Sequence, residues 1–482
     1  MEPQVAMTLA DVTRATGGRA LTPARGPLAG ASIDSRSLQR DDVFFALPGT
    51  RGDGHDFGAA ALQAGAGALV VAAGRAPEFV TAAAGARAAV VAVDDVRRAL
   101  ADLARARRLQ VGPTVVGVTG SNGKTTTKEL LAAILETAAG EQSVLATSGN
   151  LNNSLGVPLT LLRLHPGHCY AVVEMGMSAP GEIASLCSLA APAVGVITGI
   201  APAHLEHLGS LEAIARAKGE LFAALPPSGI AIFPDDQPLL AAEAARLPAA
   251  QRRTFGTGAD ATVRIAAVVP RGAAGLALDL VVDGVAVHCD LPLPGPHNAR
   301  NAAAAAAAAA ALGVAPAVIA AGLARGRTAA HRSTIVAVAG RHVIDDCYNA
   351  NPASPRAGLE MLASLRPAGR TAVAVLGDML ELGPRAPELH REVGQAAARL
   401  GIDHLVAVGV RAQEILRGAR RAGMDEHHLA PAPDPAAAAV EVQTRTSPGD
   451  WVLVKASRGM RLERVLEELR RLAEPGAEPP PC

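Results

Sequence analysis

Gly120-Ser121-Asn122-Gly123-Lys124-Thr125-Thr126 is the stretch of this chain whose residue types and spacing most directly suggest chemistry. It follows the β-branched run Thr114-Val115-Val116-Gly117-Val118 and precedes a helical pattern from Lys128 to Thr137. A glycine-rich turn between a strand and a helix aims backbone N–H groups at a phosphate chain. Lys124 would neutralise β- and γ-phosphate charge, and the Thr125 hydroxyl would ligate Mg²⁺. The spacing departs from the common G-x₄-G-K-[ST] form: Val118 stands where the first glycine would be, with Gly117 and Gly120 flanking it. The plainer alternative is a strand-to-helix turn with no ligand.

Three more side chains have the types a metal-assisted site needs. Glu174 ends the apolar run Ala171-Val172-Val173, at the sheet edge where nucleotide sites form. It suits the Mg²⁺ that Thr125 also touches; otherwise it is a solvent-facing strand end. His204 follows the strand pattern Val194 to Thr198, and a neutral imidazole there can ligate a second metal. A lone histidine after a strand is more often structural, and His207 is the weaker candidate. Leu211 to Phe222 reads as a helix with Ser210 as N-cap. Lys218 falls on its apolar stripe with Leu211, Ile214, Ala215, Leu221 and Phe222, while Glu212, Arg216 and Glu220 line the other face. A lysine on a buried face has a depressed pKa and a larger neutral fraction. Neutral lysine reacts with CO₂ to give a carbamate, an oxyanion able to bind metal. The alternative is a snorkelling side chain with its ammonium in water.

Positioning these groups takes a large α/β framework. The chain has 482 residues, 49% hydrophobic and 19% charged, enough for two to four packed domains. Strand candidates alternate with helices, which reads as α/β with mostly parallel sheets. Three blocks are expected, at 1–95, 96–330 and 331–482, the central one a P-loop ATPase domain and the last Rossmann-like. The tail from Glu474 is proline-rich and expected to fray. Lys plus Arg equals Asp plus Glu at 45 each, so no general field for nucleic acid or anionic membrane exists. Only 2% of residues are aromatic, which argues against base-stacking platforms. The N-terminus lacks a signal peptide's apolar segment. Ala302 to Ala324 imitates a membrane span, but Gly313 and Pro316 interrupt it, so a buried helix and then a turn are expected. Five scattered cysteines without CxxC spacing fit a reducing cytoplasm and no structural zinc.

The loop Gly-Val-Thr-Gly-Ser-Asn-Gly-Lys-Thr-Thr resembles that of the Mur ligase superfamily, ATP-dependent amide ligases of peptidoglycan precursor synthesis. Matching segments spread from about Ser32 to Glu463. The resemblance is closest to the MurF branch, which adds D-alanyl-D-alanine to UDP-N-acetylmuramoyl-tripeptide. Asp345-Asp346-Cys347-Tyr348-Asn349-Ala350-Asn351-Pro352 and Gly377-Asp378-Met379-Leu380-Glu381-Leu382-Gly383, with His390 after it, carry that choice. The Asp-Asn-Pro-Arg motif of the diaminopimelate-adding branch is absent, as is the Asp-Gly-Ala-His-Asn-Pro stretch of the folate enzymes.

The resemblance implies roles for further residues. His297 and Asn301 of Gly295-Pro296-His297-Asn298-Ala299-Arg300-Asn301 would contact adenine, although Asn298 or Asn301 could simply cap the alanine-rich helix. Arg332 would reach the γ-phosphate and Asp346 the ribose when the third block closes; either could instead be an ordinary surface charge. Ser35, Arg36, Asp53 and His55 lie in polar loops resembling the uridine-nucleotide site, and Asn150 and Asn153 in a loop resembling one that orients the UDP-linked peptide. Lys455 and Ser457 close a strand and are expected to open a helix whose N-terminus docks the dipeptide carboxylate. Asn349, Asn351 and His390 are further acceptor-site candidates. A carbamylated Lys218 with His204 would form a second metal site beside the Mg²⁺ at Thr125 and Glu174. The implied substrates are ATP, UDP-MurNAc-tripeptide and D-alanyl-D-alanine, with an acyl-phosphate intermediate, in a cytoplasmic monomer. The competing readings are a Mur-type ligase adding a single amino acid, a P-loop ATPase switch without ligase activity, and a degenerate structural homologue.

Overall fold

The structure, a computed structural model, describes residues 7–49, 52–202 and 205–473. Among these it forms three sheets of five, nine and six strands. The five-stranded sheet runs in space as Arg19–Thr22, Ala89–Val93, Ala68–Ala72, Val43–Phe45 and Ala31–Ser32, parallel except for the first strand. Its Val- and Ala-rich strands are buried on both faces, as parallel strands covered by helices must be.

The nine-stranded sheet is parallel over Val144–Ala146, Tyr170–Glu174, Thr114–Thr119, Val194–Ile197, Ile230–Pro234, Arg252–Gly256 and Val263–Pro270. Two antiparallel strands, Leu276–Val282 and Val285–Leu291, extend it. The phosphate-loop strand Thr114–Thr119 lies between Tyr170–Glu174 and Val194–Ile197. The C-terminal ends of three neighbouring parallel strands, where such sheets bind ligands, therefore converge on one edge. The six-stranded sheet opens with the hairpin Thr334–Val338 and Arg341–Asp345, then runs parallel through Trp451–Lys455, Ala372–Gly377, His404–Val408 and Leu429–Ala432.

Two helices explain how the blocks are joined and filled. Val96–Val111 starts where Asp95 accepts bonds from the N–H groups of Arg97 and Arg98, and stops at Gly112 with φ of +68°. Its Val96, Ala99, Leu100, Leu103 and Ala104 join one continuous core with Val91 of the first sheet and Val115 of the central sheet. The helix belongs by packing to both. The alanine run forms helix His297–Ala311, with Ala302 to Ala309 all buried against the sheet and helix Lys124–Ala139. The chain turns at Gly313 (φ +81°) and restarts as Pro316–Leu323. No described helix is long and apolar enough to cross a membrane.

Two local expectations change. Neither Asn298 nor Asn301 caps the alanine helix: it starts at His297 behind Pro296, and both asparagines sit buried inside its first turns. No long helix opens at Ser457. A short 3₁₀ turn, Arg458–Met460, intervenes, and the helix runs Glu463–Leu472. Asp378 already turns the neighbouring chain by accepting bonds from the N–H groups of Val410 and Arg411, and the Leu380 N–H bonds Ser457 Oγ, so this corner is a packed junction of loops.

Candidate functional site

The loop between strand Thr114–Thr119 and helix Lys124–Ala139 is held open by contacts no other residue types would allow. Gly120 has φ of +146°, and a Cβ there would lie 2.0 Å from Thr198 Oγ1. Gly123 has φ of +79°, and its Cβ would lie 2.2 Å from Asn301 Oδ1. The Ser121 N–H donates to Gly199 O at 2.8 Å, and Ser121 Oγ donates to Ala201 O and accepts from the Ala201 N–H. Thr198 Oγ1 donates to Asn122 O. Gly123 gives the helix no side-chain cap, so the first-turn N–H groups at Lys124, Thr125 and Thr126 face outward for an anion. Lys124 Nζ curls back to Gly120 O at 2.7 Å. Burial holds its ammonium below lysine's ordinary range, and the nearby Arg332 pushes the same way while Glu174 opposes.

Thr125 Oγ1 donates to Glu174 Oε2 at 2.7 Å, and both residues are buried. Asn152 Nδ2 donates to Glu174 Oε1 at 2.8 Å, and the Glu174 N–H donates to Thr147 Oγ1 at 3.0 Å. A hydroxyl and a carboxylate this close, at the foot of an anion-binding loop, form an all-oxygen donor pair. Such a pair suits Mg²⁺, which takes one or two protein oxygens and completes its octahedron with phosphate and water. The edge of an octahedron with ~2.1 Å bonds is ~3 Å, close to this separation.

Lys218 lies on helix Leu211–Ala223, whose N-terminus Ser210 caps by accepting from the Ala213 N–H. It is 2% exposed. Burial, helped by Lys124, drives its pKa well below the ordinary value. A neutral amine is the form that reacts with CO₂. His204 lies outside the described residues.

On the other flank, Asn301 Nδ2 donates to Asn298 Oδ1 at 2.9 Å, and Asn298 Nδ2 donates to Pro294 O at 2.7 Å. This chain of amides leaves Asn301 Oδ1 against the loop at Gly123. His297 Nδ1 is buried without a partner, and burial lowers the imidazole's pKa, so it stays neutral. In the third block the Arg332 guanidinium lies 3.9 Å over the Tyr348 ring. It sits between His331 (φ +61°) and Ser333 (φ +53°), two non-glycine residues in the left-handed region. Asp346 Oδ2 accepts from Lys455 Nζ at 2.6 Å and Oδ1 from the Ser333 N–H at 3.1 Å. A cavity of about 340 Å³ separates the two blocks, with Thr125 and Glu129 on one wall and Arg332, Tyr348 and Arg458 on the other.

Family models match in three consecutive pieces: the Mur ligase family catalytic domain over residues 27–108, the Mur ligase middle domain over 118–309 and the Mur ligase glutamate ligase domain over 331–458. The UDP-N-acetylmuramoyl-tripeptide–D-alanyl-D-alanine ligase of Bacillus subtilis (strain 168) is 36% identical, covering 91% of this chain and 93% of its own. That of Escherichia coli (strain K12) is 36% identical over 97% and 99%. The crystal structure of MurF from Acinetobacter baumannii superposes with a TM-score of 0.84 at 33% identity, over 97% of this chain and 99% of that one. That of the MurF ligase from Thermotoga maritima in complex with ADP gives 0.76 at 31%, over 92% and 97%. The chain belongs to the Mur ligase family.

Within this Mur ligase the remaining sequence candidates take different places. Asn351 Nδ2 reaches across to Asn122 Oδ1 of the phosphate loop at 2.7 Å. Lys455 Nζ bonds Asp346 Oδ2 and Asn349 O, and Ser457 Oγ donates to Ala350 O. Asn349 Oδ1 accepts from the Ala350 N–H. Asn153 Oδ1 caps the N–H groups of Leu155 and Gly156, while Asn150 is exposed. Ser35 is half-buried, and the exposed Arg36 pairs with Asp34, whose carboxyl is held down to about 2 by that bond. Asp53 Oδ1 accepts from His55, and Oδ2 from Arg75.

Two histidines are corrected from ligand contacts to supports. His55 is buried, and its Nε2 accepts from the Ala72 N–H while Nδ1 bonds Asp53. His390 is fully buried, with Nε2 accepting from the Met379 N–H at 2.9 Å and Nδ1 donating to Ala386 O at 2.6 Å. Neither ring has a nitrogen left for a ligand. Sequence reasoning missed Thr147, Thr198 and Gln237, which hold the loop and Glu174 through backbone bonds. It also missed Lys128 and Glu129; their helical spacing from Lys124 and Thr125, four residues each, was the available signal.

Proposed function

We propose that this chain is an ATP-dependent ligase that joins D-alanyl-D-alanine to UDP-N-acetylmuramoyl-tripeptide, the last cytoplasmic step in making the UDP-MurNAc-pentapeptide of peptidoglycan. The terminal carboxylate of the tripeptide displaces ADP from the γ-phosphate to give an acyl phosphate. The dipeptide ammonium gives up a proton to solvent, the free amine attacks the acyl carbon, and the acyl C–O bond breaks as phosphate leaves carrying the second amine proton. The observation that carries this reading is the third block resting on the phosphate loop through Asn351 and Asn122, with a cavity between them beside Thr125. A reaction joining two molecules beside a nucleotide needs such an enclosed meeting point.

The loop N–H groups and Lys124 hold the phosphates, and Arg332 adds positive charge from the third block. Asn301 and His297 would take the base, and Asp346 the ribose. Thr125 and Glu174 would hold Mg²⁺, with Lys218 as a carbamate and His204 holding a second ion. Bound metal would offset negative charge on the transferring phosphoryl group. The first block would take the UDP moiety through the loops carrying Ser35, Arg36 and Asp53, with Asn150 and Asn153 guiding the peptide. The reading includes a cytoplasmic location and action as a monomer.

Phosphate release with UDP-MurNAc-tripeptide, D-alanyl-D-alanine and ATP, leaving out each in turn, tests this. Release requiring all three supports the ligase. Release supported equally by a free amino acid would replace it with a single-residue ligase, and release from ATP alone with an ATPase switch.

A further inference from the structure

The cavity between the phosphate loop and the third block carries two charged side chains, Glu129 and Arg458, that none of the steps so far uses. Glu129 is the only carboxylate among its described lining residues. It stands four residues beyond Thr125 on the same helix, hence on the same face one turn further out. Its Oε1 accepts from Lys128 Nζ at 2.5 Å, and Lys128, 1% exposed, is itself anchored to Thr147 O. Glu129 Oε2 has no hydrogen bond among the described residues. The opposite wall carries Arg332, stacked on Tyr348 with no carboxylate partner among the described residues, and Arg458, whose Nη1 bonds Glu463 while the rest of its guanidinium is free of described protein acceptors. The cavity is thus negative on the phosphate-loop side and positive on the third-block side. At about 340 Å³ it lies at the small end of the range for small-molecule sites, ~300–1,000 Å³.

We propose that this cavity takes the acceptor as a zwitterion, with Glu129 binding its ammonium and Arg458 its terminal carboxylate. This rests on the ligase reading. The polarity fixes the direction of entry. The amine is the nucleophile and must end beside Thr125, where the acyl phosphate forms, and the one carboxylate among the described wall residues is on that side. The carboxylate end then points to the third block, at the far end of a dipeptide whose extended reach is ~7 Å. Lys128 is a positioning residue: its buried ammonium fixes one oxygen of Glu129 and leaves the other for the ligand.

The test compares D-alanyl-D-alanine with its C-terminal amide in the wild type and two variants. Wild-type turnover that depends on the dipeptide is the first requirement; without it the ligase reading itself fails. Given that turnover, Glu129→Gln should raise KM for the dipeptide about 10- to 100-fold, the range expected for losing a charge-assisted bond, with KM for ATP changed less than about threefold. Arg458→Gln, at an exposed residue whose loss does not threaten folding, should abolish the wild type's preference for the free carboxylate over the amide. An unchanged dipeptide KM in Glu129→Gln, or an equal rise for ATP, would overturn the ammonium site. A preference for the free carboxylate that persists in Arg458→Gln would overturn the carboxylate site.

Discussion

Asn351 in the third block donates from Nδ2 to Oδ1 of Asn122 in the phosphate loop, at 2.7 Å. The same Asn351 accepts the Ser354 N–H through Oδ1, so one amide both caps its own helix and latches onto the nucleotide site. Asp at this position keeps the cap and places an acceptor against an acceptor. Asn351→Asp should lower kcat about 2- to 10-fold, the worth of one hydrogen bond, with the melting temperature nearly unchanged. Small-angle scattering with nucleotide bound should show a larger radius of gyration than the wild type. An unaltered kcat would show that this contact does not hold the blocks together in turnover.

How legible each feature is in the sequence depends on its physics. Strands such as Thr114–Thr119 and His404–Val408 are readable because they are β-branched, buried runs between turn residues. Helix Leu211–Ala223 is readable from its stripe and its Ser210 cap, and Lys218 is buried as the periodicity requires. The residues that failed, His55 and His390, failed because a histidine's polar atoms are satisfied by backbone groups that tertiary folding brings near. Ala72 is 17 residues from His55, and Met379 is 11 from His390. Ser457 failed for a related reason: the chain's path beyond a strand is set by packing, and here Leu380 and Ala350 claim its hydroxyl. The Glu129–Arg458 polarity is illegible because it exists only across two blocks.

Gly123 tests the loop's geometry. Its φ of +79° and the 2.2 Å approach of Asn301 Oδ1 to a would-be Cβ leave no room for alanine. A left-handed alanine alone costs ~1–2 kcal/mol, and displacing Asn301 would disturb its proposed contact with adenine as well. Gly123→Ala should therefore raise KM for ATP at least about tenfold while the protein still folds, as judged by circular dichroism. Normal ATP binding would mean that Asn301 does not set the loop's shape.

Lys218 gives a prediction on both activity and stability. Its folded pKa lies well below 10.5, so between that value and ~10.4 the unfolded chain binds the extra proton. Stability then rises with pH across this window, and at neutral pH the buried lysine is a liability. Lys218→Met should abolish ligase activity yet, compared with wild type kept free of CO₂ so that the amine is unmodified, raise the melting temperature by a few degrees at pH 7, with the gain shrinking toward pH 10. Lys218→Ala should regain partial activity with short carboxylates that replace a carbamate. Full activity in Lys218→Ala without additives would remove this side chain from the reaction.

His390 turns the structural correction into a measurement. Burial lowers its pKa, against the pull of the Ala386 carbonyl, and Nε2 cannot take a proton without releasing the Met379 N–H. Below ~6.5 the unfolded state binds the proton first. The stability linked to His390 is thus complete above ~6.5 and is lost as pH falls toward the folded pKa. Gln offers an acceptor in place of Nε2 but does not titrate. His390→Gln should melt a few degrees lower at pH 7, because the fit to Ala386 is lost, yet show a flatter fall between pH 7 and 5.5 than the wild type. Its KM for the dipeptide should stay within about threefold, since a lost direct hydrogen bond to the ligand would cost more. Parallel melting curves against pH, or a dipeptide KM raised tenfold with stability intact, would return His390 to the acceptor site.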